Sequence, residues 1–215
     1  MKQIVLLGLL VSSFVGCTKY NAVDTGLAQK KFPGNMYEYL HSDSYNWDSL
    51  LMFIDYLGLE EYFTGKKAGY EEITFFGPTN HSIRRKIYDK FTWSPTWQKV
   101  YVYHSVKEFI EGEGEYCRQL ILSHIVKGKY EVKDIPRGTD DDEESGVVFT
   151  SASGTKFRVY SFQEPYEKTP KAGPVVLYVR GGKSMNNKID VASTDIEPTN
   201  GIVHSLAYAF TLGQF

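Results

Sequence analysis

Cysteine is nearly absent from this 215-residue chain, with Cys17 and Cys117 alone. A disulfide-stapled scaffold is thereby excluded once either thiol is engaged elsewhere, and the fold must rest on an apolar core. Long hydrophobic runs are missing as well. The strongest, Ile4 to Val11, is about half of the roughly 20 residues that a spanning helix needs before Ser12 and Ser13 interrupt it. Charge of one sign is also lacking: 24 Lys and Arg stand against 26 Asp and Glu, and no basic stripe marks the chain as a nucleic-acid binder. The five histidines show neither HxxxH nor HExxH spacing, so no zinc site is expected from neighbouring positions.

What is present begins with the ends. Met1-Lys2-Gln3, the apolar run and then Ser12-Ser13-Phe14-Val15-Gly16-Cys17 have the layout of a secretory signal. Gly16 directly before Cys17 resembles the lipobox at which bacterial lipoproteins are cut and acylated, although Phe14 stands where Leu is usual. Residues 1–16 are then the signal peptide, Cys17 carries the lipid, and residues 17–32 are a tether of small and polar residues that ends at Phe32-Pro33-Gly34. Thr18 rather than Asp after the cysteine points to the outer membrane, with lipid as the only membrane attachment.

Residues 33–215 read as one α+β domain. Met36 to Leu40 form a short helix, and Asn46 or Ser44 is placed to cap a longer one through Leu50, Leu51, Phe53, Ile54 and Leu57 that Gly58 ends. Ile73-Thr74-Phe75-Phe76 is a buried strand stopped by Gly77-Pro78, after which Thr79 or Asn80 is placed to cap the next helix. Ser105 to Ile125 reads as two helical pieces broken around Gly112 and Gly114. The last ninety residues are strands, including Lys156 to Tyr160 and Val175 to Val179, with Asp140 to Glu144 as an exposed loop. Helices first and strands later argue for an α+β domain rather than an alternating parallel sheet.

Three segments carry a family resemblance. Ile73-Thr74-Phe75-Phe76-Gly77-Pro78-Thr79-Asn80 resembles the TVFAPTN strand and turn of the fasciclin (FAS1) domain family. Leu120-Ile121-Leu122-Ser123-His124-Ile125-Val126-Lys127-Gly128 is similar to its LLxYHIVxG segment, and Asp195-Ile196-Glu197-Pro198-Thr199-Asn200-Gly201-Ile202-Val203-His204 to its DIxxTNGVIH. The resemblance implies a β-wedge or sandwich packed with helices, with no catalytic activity and no cofactor. It also implies adhesion to another macromolecule, a protein or a matrix-like partner. In related adhesion proteins the Tyr-His pair and the Asp-Ile pair are implicated in receptor binding. Asp195, Ile196 and His124 carry over, whereas Ser123 replaces the Tyr. On physical grounds His124 and His204 are expected to be buried and bonded to backbone, and Asn200-Gly201 to supply a tight turn at positive φ.

Catalytic constellations fail on spacing. Cys117 and His124 are seven residues apart, about 10 Å along one helix, too far for a thiol–imidazole pair. Gly181-Gly182-Lys183-Ser184 lacks the first glycine of a phosphate loop, since Leu177 occupies that position, and it reads as a hairpin turn. Asp140, Asp142 and Glu144 have calcium-loop spacing, but Ser145 and Ser151 stand where Gly and the bidentate Glu are required.

The remaining feature is Phe91-Thr92-Trp93-Ser94-Pro95-Thr96-Trp97, followed by Tyr101 and Tyr103. Trp93 and Trp97 are expected to lie over the core as a lid. Exposed instead, they would form an aromatic platform on which a polysaccharide could stack.

Overall fold

The computed structural model describes residues 30–139, 141–142, 144–182 and 187–215. The signal segment, Cys17, the tether before Lys30, Asp140, Lys183 and Ser184 lie outside the described residues. The chain starts with three helices, α1 (Met36–Ser42), α2 (Ser44–Tyr56) and α3 (Glu60–Phe63). Asn35 opens α1 with a reciprocal cap: its side chain accepts from the Glu38 N–H and the Glu38 carboxylate accepts from the Asn35 N–H. Asp43, not Asn46 or Ser44, caps α2 by accepting from the Asn46 N–H. Gly58 follows that helix at φ 61°, where a Cβ would be strained.

Strand β1 (Ile73–Gly77) comes next, then α4 (Asn80–Tyr88), the hairpin β2 (Phe91–Trp93) and β3 (Lys99–Tyr101), and α5 (Val106–Leu122). Helix α5 is kinked at Glu113, between the two glycines that mark its break in the sequence. Strands β4 (Ile125–Lys127), β5 (Val147–Thr150), β6 (Lys156–Gln163), β7 (Val175–Gly181), β8 (Asn187–Ile196) and β9 (Gly201–Leu206) complete the chain. The large sheet runs β4-β1-β9-β8-β7-β6-β5, and only β1 and β9 pair in parallel. Its two edges meet where Val126 bridges Ser151 and the Ala152 N–H donates to the Ile125 carbonyl, so the sheet is nearly closed.

Two cores follow from the strand period. On β1, Ile73 and Phe75 face the helices and join Met36, Leu50, Phe53, Phe63, Phe109 and Val203. Phe76 faces the other way, into the sheet's interior with Phe149, Phe157, Val179 and Leu206. Thr74 shares that second face; its hydroxyl donates to the Gly128 carbonyl and accepts from the Tyr130 N–H. Burying a hydroxyl without such partners costs about 1–3 kcal/mol, which is why the strand tolerates it only here.

Two expectations about joints are corrected. Neither Thr79 nor Asn80 caps α4 with its side chain. Asn80 instead accepts from the Ser49 N–H and donates to the Ser44 and Tyr45 carbonyls, pinning the first turn of α2 to α4. Asn200 likewise accepts from the Met36 N–H and donates to the Phe63 carbonyl. The Asn200-Gly201 turn uses no positive φ. Gly201 is required by space: a Cβ there would stand 2.6 Å from Met36 Cε and closer still to the Ile73 carbonyl oxygen. The left-handed residue in this landmark is Asp195, at φ 59°.

Candidate functional site

The landmark residues converge on the sheet, and the two histidines lie in its interior. His124 follows α5 and is fully buried; its Nδ1–H donates to the Phe76 carbonyl at 2.7 Å, with Phe215 and Phe210 packed on the ring. Its Nε2 is buried without a partner among the described residues, so the ring is held neutral and burial lowers its pKa to about 3. His204 on β9 is fixed in the other tautomer. Its Nε2–H donates to the Tyr130 carbonyl at 2.9 Å, and its Nδ1 accepts from the Asp195 N–H at 3.3 Å. Burial lowers this pKa too.

Asp195 and Ile196 are half-buried. The left-handed backbone of Asp195 turns its carboxylate to the Val132 N–H, 2.8 Å away, and Ile196 packs against the helical core. Asp195 and His204 tie β8, β9 and the segment after β4 to one another, while His124 ties the end of α5 to β1. The arrangement is that of joints, and no acid, base and nucleophile meet there. Cys117 is buried against the Phe109 carbonyl, and burial pushes its thiol up to about 12, which removes it as a nucleophile at neutral pH. Among the described residues, no group of three or more His, Cys, Asp or Glu is placed to hold a metal, and no helix is long and apolar enough to cross a membrane.

The exposed chemistry lies elsewhere, on β2 and β3. The expected lid over the core is not what the structure shows: Trp93 is 56% exposed and Trp97 81%. The physical reason is pairing. The hairpin forms its own two-stranded sheet, with Phe91 opposite Tyr101, Thr92 opposite Val100 and Trp93 opposite Lys99, and it takes no place in the large sheet. It is held at its base, where the Val102 N–H donates to the Lys90 carbonyl and Tyr88 of α4 meets Tyr101 edge-on at 5.0 Å.

Alternation puts Phe91, Trp93, Lys99 and Tyr101 on one face of the hairpin. The rings form a continuous row. From Tyr101 the row runs to Phe91 at 6.4 Å, on to Trp93 at 5.5 Å, and ends at Trp97, 6.5 Å further. Lys99 Nζ stands 4.3 Å from the centre of the Phe91 ring. The turn is made by Ser94, whose N–H donates to the Gln98 carbonyl, whose carbonyl accepts from the Trp97 N–H and whose hydroxyl accepts from the Gln98 N–H. Trp97 adopts φ 58° there. An aromatic residue in that region is an uncommon and costlier choice than Gly or Asn, and the conformation turns its ring outward. Strand periodicity in Phe-Thr-Trp and Lys-Val-Tyr around Ser-Pro is the signal by which the hairpin could have been found.

A concavity of about 600 Å³ lies between the segment after Ile135 and the β6–β7 connection and is lined in part by Arg137, Thr139, Phe162, Pro165 and Lys171. Its lining brings together no catalytic set.

With this geometry in hand, comparison with known proteins is direct. No curated protein matches the chain. Among solved structures it is similar to the FAS1 domain pair of the insect cell adhesion molecule fasciclin I, with 17% identity and a TM-score of 0.54 over 81% of this chain. That match covers 50% of the pair, so the chain spans about half the length of its relative, and at this identity the likeness speaks for the fold. The model of the Fasciclin domain matches residues 46–211, which contain all three landmark segments, the nearly closed sheet and the hairpin. The chain therefore belongs to the fasciclin domain family.

Proposed function

We propose that this protein is a non-catalytic binding module, held at the outer membrane of a cell envelope by lipid on Cys17, that grips another macromolecule through its fasciclin domain. The observation that carries the reading is the contrast between the two sets of candidate residues. The landmark side chains are consumed in holding the sheet together, while a row of aromatic rings stands free of the core on β2 and β3. Exposed Trp and Tyr dominate binding energetics because each presents a large rigid surface at low conformational cost.

Two classes of partner fit a module of this family. A protein or matrix-like partner follows from the family resemblance and would be met at Asp195 and Ile196. A polysaccharide is favoured by the exposure of Trp93 and Trp97, since sugar rings stack on flat apolar faces, and this second class is the one that the geometry supports best.

Binding of the purified protein to immobilised polysaccharides and matrix proteins, with Trp93→Ala/Trp97→Ala alongside, tests the reading. Polysaccharide binding that the double variant loses supports it. Protein binding that the variant leaves intact would move the site to the Asp195 region. For the anchor, Cys17→Ala is expected to release the protein from membranes, and a variant that stays membrane-bound would contradict lipid attachment.

A further inference from the structure

The even charge balance of the whole chain conceals a local excess. Between His81 and Tyr103, Arg84, Arg85, Lys86, Lys90 and Lys99 face a single acid, Asp89. Lys90 is paired with Glu113 from α5. Arg84 and Lys99 are exposed and take part in no ion pair among the described residues. Lys99 stands in the ring row itself, and Arg84 is connected to it through Tyr88, whose ring meets Tyr101. Lys99 is opposite Trp93 in the ladder, and Arg84 lies one helical turn before Tyr88, on the same face of α4. The row and its cations thus form one surface, from Arg84 and Tyr88 at the base of the hairpin to Trp97 at its tip.

We infer that this surface is a binding subsite for acidic polysaccharide, with the Tyr101–Phe91–Trp93–Trp97 rings against sugar faces and Arg84 and Lys99 against carboxylate or sulfate groups. The inference rests on the polysaccharide reading above and adds the charge of the ligand. Three features of the hairpin select this occupant. Its strands are three residues long, few against the roughly 20–30 residues a side of a stable protein interface, so a narrow linear chain suits it better than a broad protein face. Its tip carries Ser94, Thr96 and Gln98, with the Ser94 and Thr96 hydroxyls 3.0 Å apart, a polar set that insertion into a bilayer would have to dehydrate. Exposed cations near 10 Å or less from an anionic chain attract it at ordinary ionic strength, and Arg presents a planar fork that matches a carboxylate or sulfate.

The test uses matched probes. The purified protein is titrated with polygalacturonate and its fully methyl-esterified form, and with chondroitin sulfate and its desulfated, carboxyl-reduced form. Phosphatidylglycerol vesicles and single-stranded DNA serve as other anionic surfaces. Arg84→Gln/Lys99→Gln and Trp93→Ala/Trp97→Ala are run beside the unsubstituted protein, and all four side chains are exposed enough that folding should survive, which circular dichroism checks. The expected result is binding to at least one acidic probe, roughly tenfold weaker for its neutral partner. The charge variant should lose roughly tenfold on that acidic probe and nothing on the neutral one, while the tryptophan variant loses binding to both. Equal binding of acidic and neutral forms, still dependent on the tryptophans, would overturn the acidic assignment and leave the polysaccharide reading standing. Binding to vesicles or DNA alone, equal binding to DNA, or binding to none of the probes would overturn the assignment; the first and last of these would also remove the polysaccharide reading.

Discussion

Lowering the pH from 7 to 5 should destabilise this domain through its buried histidines, and the size of the effect can be worked from His124. Its ring is enclosed between the Phe76 carbonyl, Phe210 and Phe215, with its pKa lowered to about 3 in the fold, against about 6.5 when the chain is unfolded. Below pH 6.5 the unfolded state takes up a proton that the folded state refuses. Stability is therefore complete above that pH and declines as pH falls toward 3. Each unit costs about 1.36 kcal/mol, so the 1.5 units between 6.5 and 5 remove about 2 kcal/mol. His204 is shifted in the same direction and adds to the loss.

The window excludes the carboxylates. Lys133 and Lys30 hold Glu131 down at about 2, and the hydrogen bonds from Lys90 and Tyr103 lower Glu113; such acids contribute their losses below about pH 4.5. Urea unfolding at pH 7 and pH 5 measures the difference, and His124→Gln should flatten the slope between them. A stability that is unchanged within about 0.5 kcal/mol over this interval would refute the picture of neutral, enclosed imidazoles.

Gly201→Ala should cost about 3 kcal/mol or more, because its Cβ would press on the Ile73 carbonyl between paired strands, whereas Gly58→Ala, at φ 61° with open space around it, should cost about 1 kcal/mol. Equal costs in denaturant unfolding would show that conformation rather than space rules at Gly201. Asn80→Ala removes the amide that pins α2 to α4 and leaves the Ser49 N–H unpaired; a loss of about 1–3 kcal/mol is expected, and a change under about 0.5 kcal/mol would mean that the strut is dispensable.

Much of this fold was legible in the sequence, because the informative residues are those with one physical use. The helical periods of α1 and α2, the stop at Gly58, the break in α5 and the burial of both histidines all follow from local pattern. The sequence alone places the cap of α2 one to three residues late, since Asp43, Ser44 and Asn46 can each serve and only the backbone decides. Local pattern makes Asn80 a cap and Asn200 a turn residue, but they act across the fold, bonding partners 31 and 164 residues away that no local pattern displays. Local pattern gives Gly201 a dihedral role for the same reason, whereas space is what requires it.

The candidate site was legible in composition and not in placement. Two tryptophans around a proline mark the segment, yet exposure depends on whether its strands join the large sheet, which is a matter of tertiary pairing. The cluster of cations from Arg84 to Lys99 was hidden by averaging over the chain. Asp195 and Ile196 illustrate the converse: a resemblance marked them for contact with a partner, and the structure gives them hydrogen bonding and packing to do inside the domain.

The central claim is that the contact face is the hairpin and not the landmark residues, and amide hydrogen exchange with and without bound ligand tests it most directly. With a captured polysaccharide present, the account predicts added protection over residues 88–103 and none over residues 195–204. Protection centred on Asp195, Ile196 and the segment around Val132, with the hairpin unchanged, would contradict it.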